Sequence, residues 1–426
     1  MNPNESLILT RIRWLLIFIF PISIVVDLIS GFFTLQLQTY IPIGQWLRVL
    51  IMACALYLLT KRVRTILIWV ILSPVLFFIL ASPLWMIIGG IEPTRGYNLG
   101  VEIDSFSKIL YFLTIVTFFI VYKEEIRKQH ILRIISNYGF FIAGALIISF
   151  VTGYGNHTHN AAYGFGTKSY FKAGNDLSLT ILYASVTSSL YMFSHFGWKR
   201  ALITLTISLS TILIGTRVGV IGIAIWMTIL MCYILFIYYP KERRTRKKLR
   251  FYKPVIFFGY ILCIITATNY LWTSFDNYML KRFSMAGIKT ARSRLTDPAL
   301  EYIGNLEWYE AIFGRGMASL YHYVAKSIRF NSDFRMVEAD FHELMGGYGL
   351  LGIIVCISPF VYFMFKALKG YFQRPDFRKF AVLFVTLSFL AVAYTAGHCF
   401  RNTMVAPIYG YMVSLMYYGE KRFTDQ

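Results

Sequence analysis

A polar stretch, Glu338-Ala-Asp340-Phe-His342-Glu343, runs directly into the apolar sequence Leu344 to Gly352. Histidine titrates near neutrality, so His342 could take a proton from a hydroxyl as that hydroxyl attacks an electrophile. Asp340, Glu343 and Glu338 are its neighbours in sequence and could orient the ring. A second histidine, His398, stands near Arg401 and is a rival for the same work. The structural alternative for His342 is a cap on the helix that follows.

Cations supply the other half of a reaction centre. Arg217, in Gly215-Thr-Arg217-Val-Gly219, interrupts two apolar runs. A charge at membrane depth is costly and marks a candidate site by default; a snorkelling arginine at a helix end is the alternative. Lys281, Arg282, Lys289, Arg292 and Arg294 form a basic stretch without an acid. Guanidinium groups bind phosphate oxygens in bidentate fashion, so this cluster suits a phosphate-bearing ligand or lipid headgroups. Arg315 lies between Gly314 and Gly316, and a segment from Gly164 to Asp176 carries glycine, aromatics, Lys172 and Asn175 ahead of an apolar run. Aromatics beside polar groups fit a sugar cleft and equally an interfacial belt. The pairs Glu102-Ile-Asp104 and Glu338-Ala-Asp340 could hold a divalent cation against a diphosphate. His157 and His159 lack a nearby acid or cysteine, so no metal and no cofactor are expected there or elsewhere.

The elements that must position these residues are greasy. Of 426 residues 57% are hydrophobic and 15% charged, with apolar runs recurring at the length that crosses a ~30 Å hydrocarbon core. A soluble protein is excluded, and unbroken runs exclude a membrane barrel. The fold class is therefore all-α, a polytopic integral membrane protein. Twelve spans are expected near 14–36, 44–60, 65–90, 106–122, 131–152, 175–196, 201–215, 218–239, 254–272, 346–368, 380–396 and 402–418. Most short loops rich in Lys and Arg alternate onto one side, including Lys241 to Arg250, which places both termini in the cytoplasm. The net charge of +21 is thus topology and lipid contact, with no nucleic acid as partner. Three polar insertions, 91–105, 153–174 and 273–345, then face outward with Gly397 to Asn402. The chain divides into spans one to nine (1–272), a long outer loop with amphipathic helices (273–345), and three final spans with a cytoplasmic tail (346–426). The five cysteines have no metal-ligand spacing and read as packing residues.

Arg217 in its Gly-Thr-Arg setting, Ser293-Arg294-Leu295, Trp308, Phe313-Gly314-x-Gly316 and the His342 segment entering Gly347-Tyr-Gly349 together resemble the O-antigen ligase and Wzy-type polymerase superfamily. Lys172-Ala-Gly-Asn175 and Gly397-His398 are similar to features of its polymerase side, and Glu343 stands where the ligase pattern has Asn. The resemblance implies a GT-C-like glycosyltransferase of the bacterial inner membrane with one long periplasmic loop and a periplasmic active site. It implies a donor and an acceptor built on undecaprenyl diphosphate, with a chain-length regulator and a flippase as partners. His342 would be the base, and Arg217 and Arg294 would hold the diphosphate. Arg292, Arg315, Lys172, Asn175, Glu338, Asp340, Glu343, His398 and Arg401 are the further substrate-binding candidates. Repeat-unit polymerisation is the expected activity, glycan transfer to lipid A core the alternative, and a flippase or transporter the more distant one. Polar groups on one face and the lack of an internal repeat argue against the last.

Overall fold

A chain surrounded by hydrocarbon must satisfy its backbone N–H and C=O groups within itself, and the apolar runs accordingly fold as helices. A computed structural model describes residues 3–39, 41–62, 65–91, 96–127, 130–158, 166–194, 197–235 and 285–417. The first run forms α1 (Pro3–Ile17) and α2 (Ser23–Leu35), joined by a π-helical turn, Phe18–Ile22, around Pro21. Proline has no N–H for the helical ladder, which changes pitch there. Then come α3 (Ile43–Thr60), α4 (Thr65–Ile91), α5 (Leu99–Val121), a short α6 (Lys123–Arg127) and α7 (Ile131–Thr152). An antiparallel hairpin, β1 (Asn156–His157) with β2 (Thr167–Ser169), leads into α8 (Gly174–Ser194), α9 (Trp198–Ile214) and α10 (Arg217–Tyr233). The C-terminal part contains α11 (Met285–Gly304), α12 (Trp308–Phe313), α13 (Met317–Ser327), α14 (Asp340–Gln373), α15 (Phe377–Thr395) and α16 (Ala406–Ser414).

Among the described residues 8 stretches are long and apolar enough to cross a membrane: α1 with α2, then α3, α4, α5, α7, α8, α14 and α15. The expected span 254–272, the basic run Lys241 to Arg250, Lys281, Arg282, Cys263 and His159 lie outside the described residues, as do the side chains of Lys289 and Arg292. The first helix begins at Pro3, ahead of the expected 14, and two later starts also differ from the charge-based expectation. α5 begins at Leu99 rather than near 106, because Asn98 caps it by accepting from Val101 N at 3.2 Å, and Glu102 and Asp104 sit inside the helix. α14 begins at Asp340 rather than near 346.

Two helices form the middle of the bundle: 78% of the α8 window and 72% of the α5 window are buried, so both are packed by protein and not by lipid. Hydroxyls hold α8 in place. Ser188 meets Ser136 of α7 at 2.9 Å and Thr204 of α9 at 2.8 Å, and Ser185 meets Ser208 of α9 at 2.6 Å. Such bonds between helices in hydrocarbon are worth roughly 0.6–2 kcal/mol each and fix register. α3, α5, α8, α10, α14 and α16 all begin on the face where α2, α4, α7, α9 and α15 end. Contacts across that face, Gln45 with Asp104, Asn402 with Asp176 and Asp340 with His398, tie the ends together.

The glycines quoted above interlock. Gly316 N donates to Gly347 O at 2.8 Å, and Trp85 Nε1 donates to Phe313 O at 3.1 Å while stacking on Tyr348 at 5.2 Å. α14 breaks at Gly349, whose φ of 65° and ψ of −168° separate a first short helix from the membrane span. A Cβ on Gly349 would lie 2.6 Å from Gly314 N, so the backbones touch only because both residues lack one. Gly349→Ala should therefore combine a left-handed φ with overpacking and cost more than about 2 kcal/mol. Thermal melting of the purified protein in detergent measures it. Gly370→Ala, in the same helix with nothing within 4 Å of the added carbon, should leave the midpoint unchanged or raise it.

Candidate functional site

A cavity of about 320 Å³ opens on the face where the six helices begin. Its walls come from far apart in sequence: Asp27 on α2, Arg48 on α3, Lys108 on α5, Asp176 on α8, and the loop before α16 with His398 and Arg401. At 1.5 Å per residue, Arg48 lies ~7.5 Å and Lys108 ~13.5 Å below the start of its helix, and Asp27 lies ~12 Å below the end of α2 on the same face. The site is therefore sunk to a depth where charge is expensive and needs a reason.

Local sequence explains how each group arrives. Gly31 lets the hairpin lie directly on α2, since a Cβ there would fall 1.6 Å from Tyr170 O; this drops Phe171 and Lys172 into the cavity wall. Gly44 leaves room beside Asp27, and Arg48 pairs with Asp27 at 2.7 Å. Lys108 pairs with Asp104, one turn earlier on α5, at 2.6 Å. Asn402 Nδ2 donates to Asp176 O at 2.9 Å, joining the first turn of α8 to the loop that carries His398. Asp176 itself turns a buried carboxylate oxygen, Oδ1, without a hydrogen-bond partner among the described residues.

In the walls four basic side chains, Arg48, Lys108, Lys172 and Arg401, face two carboxylates, Asp27 and Asp176. Withdrawal from water pushes the pKa of Lys172 down, and Arg48 adds to the effect. Arg401 responds in the opposite direction. Burial disfavours its charge, but Tyr321, Asp340 and Asp176 more than restore it, so its pKa ends above the ordinary value. Helix N-termini carry partial positive charge, and the site sits among several. The arrangement can hold an anionic group with many acceptor oxygens.

Of the residues nominated from sequence, Lys172, His398 and Arg401 line this cavity, and Asn175 lies beside Asp176 on α8. His398 takes a φ of 63°, a conformation non-glycine residues seldom hold and one that clusters at functional sites. The carboxylates flanking His342 have partners elsewhere. Asp340 accepts from the N–H groups of His398, Cys399 and Phe400 at 2.8, 2.6 and 3.3 Å. Glu343 accepts from Val337 N and Glu338 N at 2.9 and 3.1 Å and pairs with Arg401. Glu338 pairs with Arg335 at 2.5 Å.

His342 sits on the first turn of α14, ~200° around the helix from Asp340. Its Nδ1 is buried without a hydrogen bond among the described residues, and the helix is entered at Ala339 with no side-chain cap. Arg315 braces the corner between α11 and α12. It pairs with Glu310 at 2.5 Å, donates to Asn305 O at 3.1 Å and lies over Tyr302. Arg217 is the first residue of α10, after a Thr216 cap, and Arg294 is exposed on α11. Neither of these, nor His342, belongs to the cavity wall described above.

Sequence reasoning missed Asp27, Arg48 and Lys108. Their signal was present: each is the lone charge in one of the expected spans, 14–36, 44–60 and 106–122. No curated protein matches this chain. A family model described as O-antigen ligase like membrane protein matches residues 10–297, more than half of the chain and all of the cavity's walls on α2, α3, α5 and α8. The match ends before His342, His398 and Arg401. With the helical bundle and the charged cavity already in view, the chain belongs to the O-antigen ligase like membrane protein family.

Proposed function

We propose that this protein joins undecaprenyl-diphosphate-linked oligosaccharide repeat units into O-antigen or capsular polysaccharide at the periplasmic face of the inner membrane. The observation that carries the reading is the convergence of Arg48, Lys108, Lys172 and Arg401 on one cavity at membrane depth. A lipid diphosphate leaves readily when its developing charge is neutralised, and cationic side chains fixed in a site of low dielectric do this without reorganising. In the reaction the bond between the anomeric carbon and the phosphate oxygen breaks as a sugar hydroxyl of the acceptor attacks from the opposite side, inverting the centre. The hydroxyl's proton passes to a histidine, and the polyprenyl diphosphate departs with the bond electrons.

By its place in the family pattern the base is His342; the same pattern would give the diphosphate to Arg217 and Arg294, whereas the cavity reading gives it to Arg48, Lys108, Lys172 and Arg401, since neither Arg217 nor Arg294 lines the cavity. A second reading gives the proton to His398, because that ring lines the cavity and its loop is held against α8. Transfer of finished glycan to lipid A core is the alternative reaction. A deletion strain separates the two. Loss of a polymerase leaves single repeats on core, whereas loss of a ligase leaves bare core with glycan accumulating on the carrier lipid. The second result would overturn the polymerase reading. Extension by the purified protein should also persist in EDTA, and loss of activity there would transfer the neutralising role to a divalent cation.

A further inference from the structure

The two carboxylates in the walls of the charged cavity are in different states. Asp27 is taken by Arg48 at 2.7 Å. Oδ1 of Asp176 is buried and has no donor among the described residues. The acids just behind the walls are also taken: Asp104 by Lys108, Asp340 by three backbone N–H groups, and Glu343 by two N–H groups and Arg401. The backbone of Asp176 is held firmly, because its carbonyl accepts from Asn402 Nδ2 at 2.9 Å and from Thr180 Oγ1 at 2.7 Å. His398, Arg48, Lys108 and Arg401 lie near enough to act on its charge, yet none donates to Oδ1. An acid in the first turn of a helix is favoured by the partial charge there, but that gain does not require a carboxylate oxygen to be buried unmet, which is costly.

We infer that Asp176 determines specificity for the sugar: its Oδ1 accepts a hydrogen bond from a hydroxyl, or from an acetamido N–H, of the ring bonded to the diphosphate. This rests on reading the charged cavity as a diphosphate site. A phosphate oxygen cannot meet Oδ1, since both are negative, so the group that does so must carry a donor. The basic side chains on the other walls call for acceptor oxygens. A ligand that satisfies both within a cavity of about 320 Å³ presents anionic oxygens and hydrogen-bond donors close together, as a ring joined directly to phosphate does. Phe171 and Met404 stand in the same walls and offer apolar surface to the C–H face of such a ring. A bare diphosphate leaves Oδ1 unmet, and so does a ring without a donor at that position. A buried polar group left without its partner is what lets a site reject the ligand that lacks it.

The test uses the full chain in lipid nanodiscs and two probes that differ only in the sugar: the lipid-linked repeat of the strain that carries this chain, and undecaprenyl diphosphate. Asp176→Asn keeps the shape of the side chain, removes its charge and strands no donor to Oδ1 among the described residues. It should weaken binding of the repeat-bearing lipid by about 10–100-fold, the loss expected when a hydrogen bond to a charged acceptor is removed. Undecaprenyl diphosphate should bind as tightly as before or more tightly, because a negative charge has left an anion site. Asp176→Ala should give the same split. A carboxylate that only favours the start of α8 or holds the wall in shape would move both affinities together or neither, and either result overturns the assignment. Lys108→Ala should weaken both probes. If undecaprenyl diphosphate is indifferent to Lys108→Ala, the diphosphate reading fails, and the ratio between the two probes in Asp176→Asn decides the sugar contact by itself. If Lys108→Ala weakens both while that ratio is unchanged in Asp176→Asn, the sugar contact fails and the diphosphate reading survives alone.

Discussion

Alanine in place of His342 should lower glycan extension by about 10²–10⁴-fold, the range supplied by a positioned general base, with the protein still inserted and present in normal amount. The structural reason for expecting normal folding is specific. Nδ1 makes no hydrogen bond among the described residues, and α14 is entered without a side-chain cap, so removing the ring leaves no buried partner unsatisfied. Extension from purified protein and lipid-linked repeats, alongside the quantity recovered in membranes, measures both halves. Full extension by His342→Ala would remove it from the mechanism. Full extension there combined with loss in His398→Ala would move the base to the cavity wall, where Asp176 faces the same space.

The second large effect concerns stability. Arg401 lies between Glu343, Asp340 and Tyr321, with side-chain exposures of 6% for the arginine against 1% and 2% for the two acids. Arg401→Ala leaves these carboxylates buried beside no cation, and breaking a buried pair in this way costs about 3–5 kcal/mol. The melting temperature in detergent should fall accordingly. Pairing the change with Glu343→Gln should recover part of the loss, because one uncompensated charge is removed. An unchanged midpoint for the single variant would mean that water reaches the cluster. If the midpoint does fall, loss of activity in Arg401→Ala reports on folding, and it carries no information on substrate contact unless the double variant is measured beside it.

Much of the fold was legible because hydrocarbon imposes a coarse rule: apolar runs of sufficient length become helices, and polar residues collect at their ends. Boundaries were less so where charges sit inside a helix, as Glu102 does. That carboxylate is buried, and its Oε1 accepts from Ala318 N at 2.7 Å, so part of its cost is offset by the start of α13, which is remote in sequence. The same limit hid part of the site. Sequence showed Lys172, His398 and Arg401 as polar residues on one face, but their meeting with Arg48 and Lys108 depends on which helices pack together. Asp340 and Glu343 looked like partners for His342 by adjacency. Helical rotation turns them toward the 397–401 loop, and a carboxylate is held by whichever N–H groups the turn presents to it. The glycines of the 313–316 and 347–349 segments were legible as a pattern, but not as two strands of backbone touching.

Asp340 also has a mechanical meaning. Its three hydrogen bonds join the turn that bears His342 to the loop that bears His398, and Asn402 carries the same loop on to the first turn of α8. The two histidines are thus tied to one hydrogen-bonded block, although 55 residues of sequence separate them and two membrane spans lie between. A sugar that displaces either ring by more than a side-chain rotation must carry both, together with the mouth of the cavity. Acceptor binding and donor binding would then be felt by each other through a shared piece of backbone, with no moving domain required.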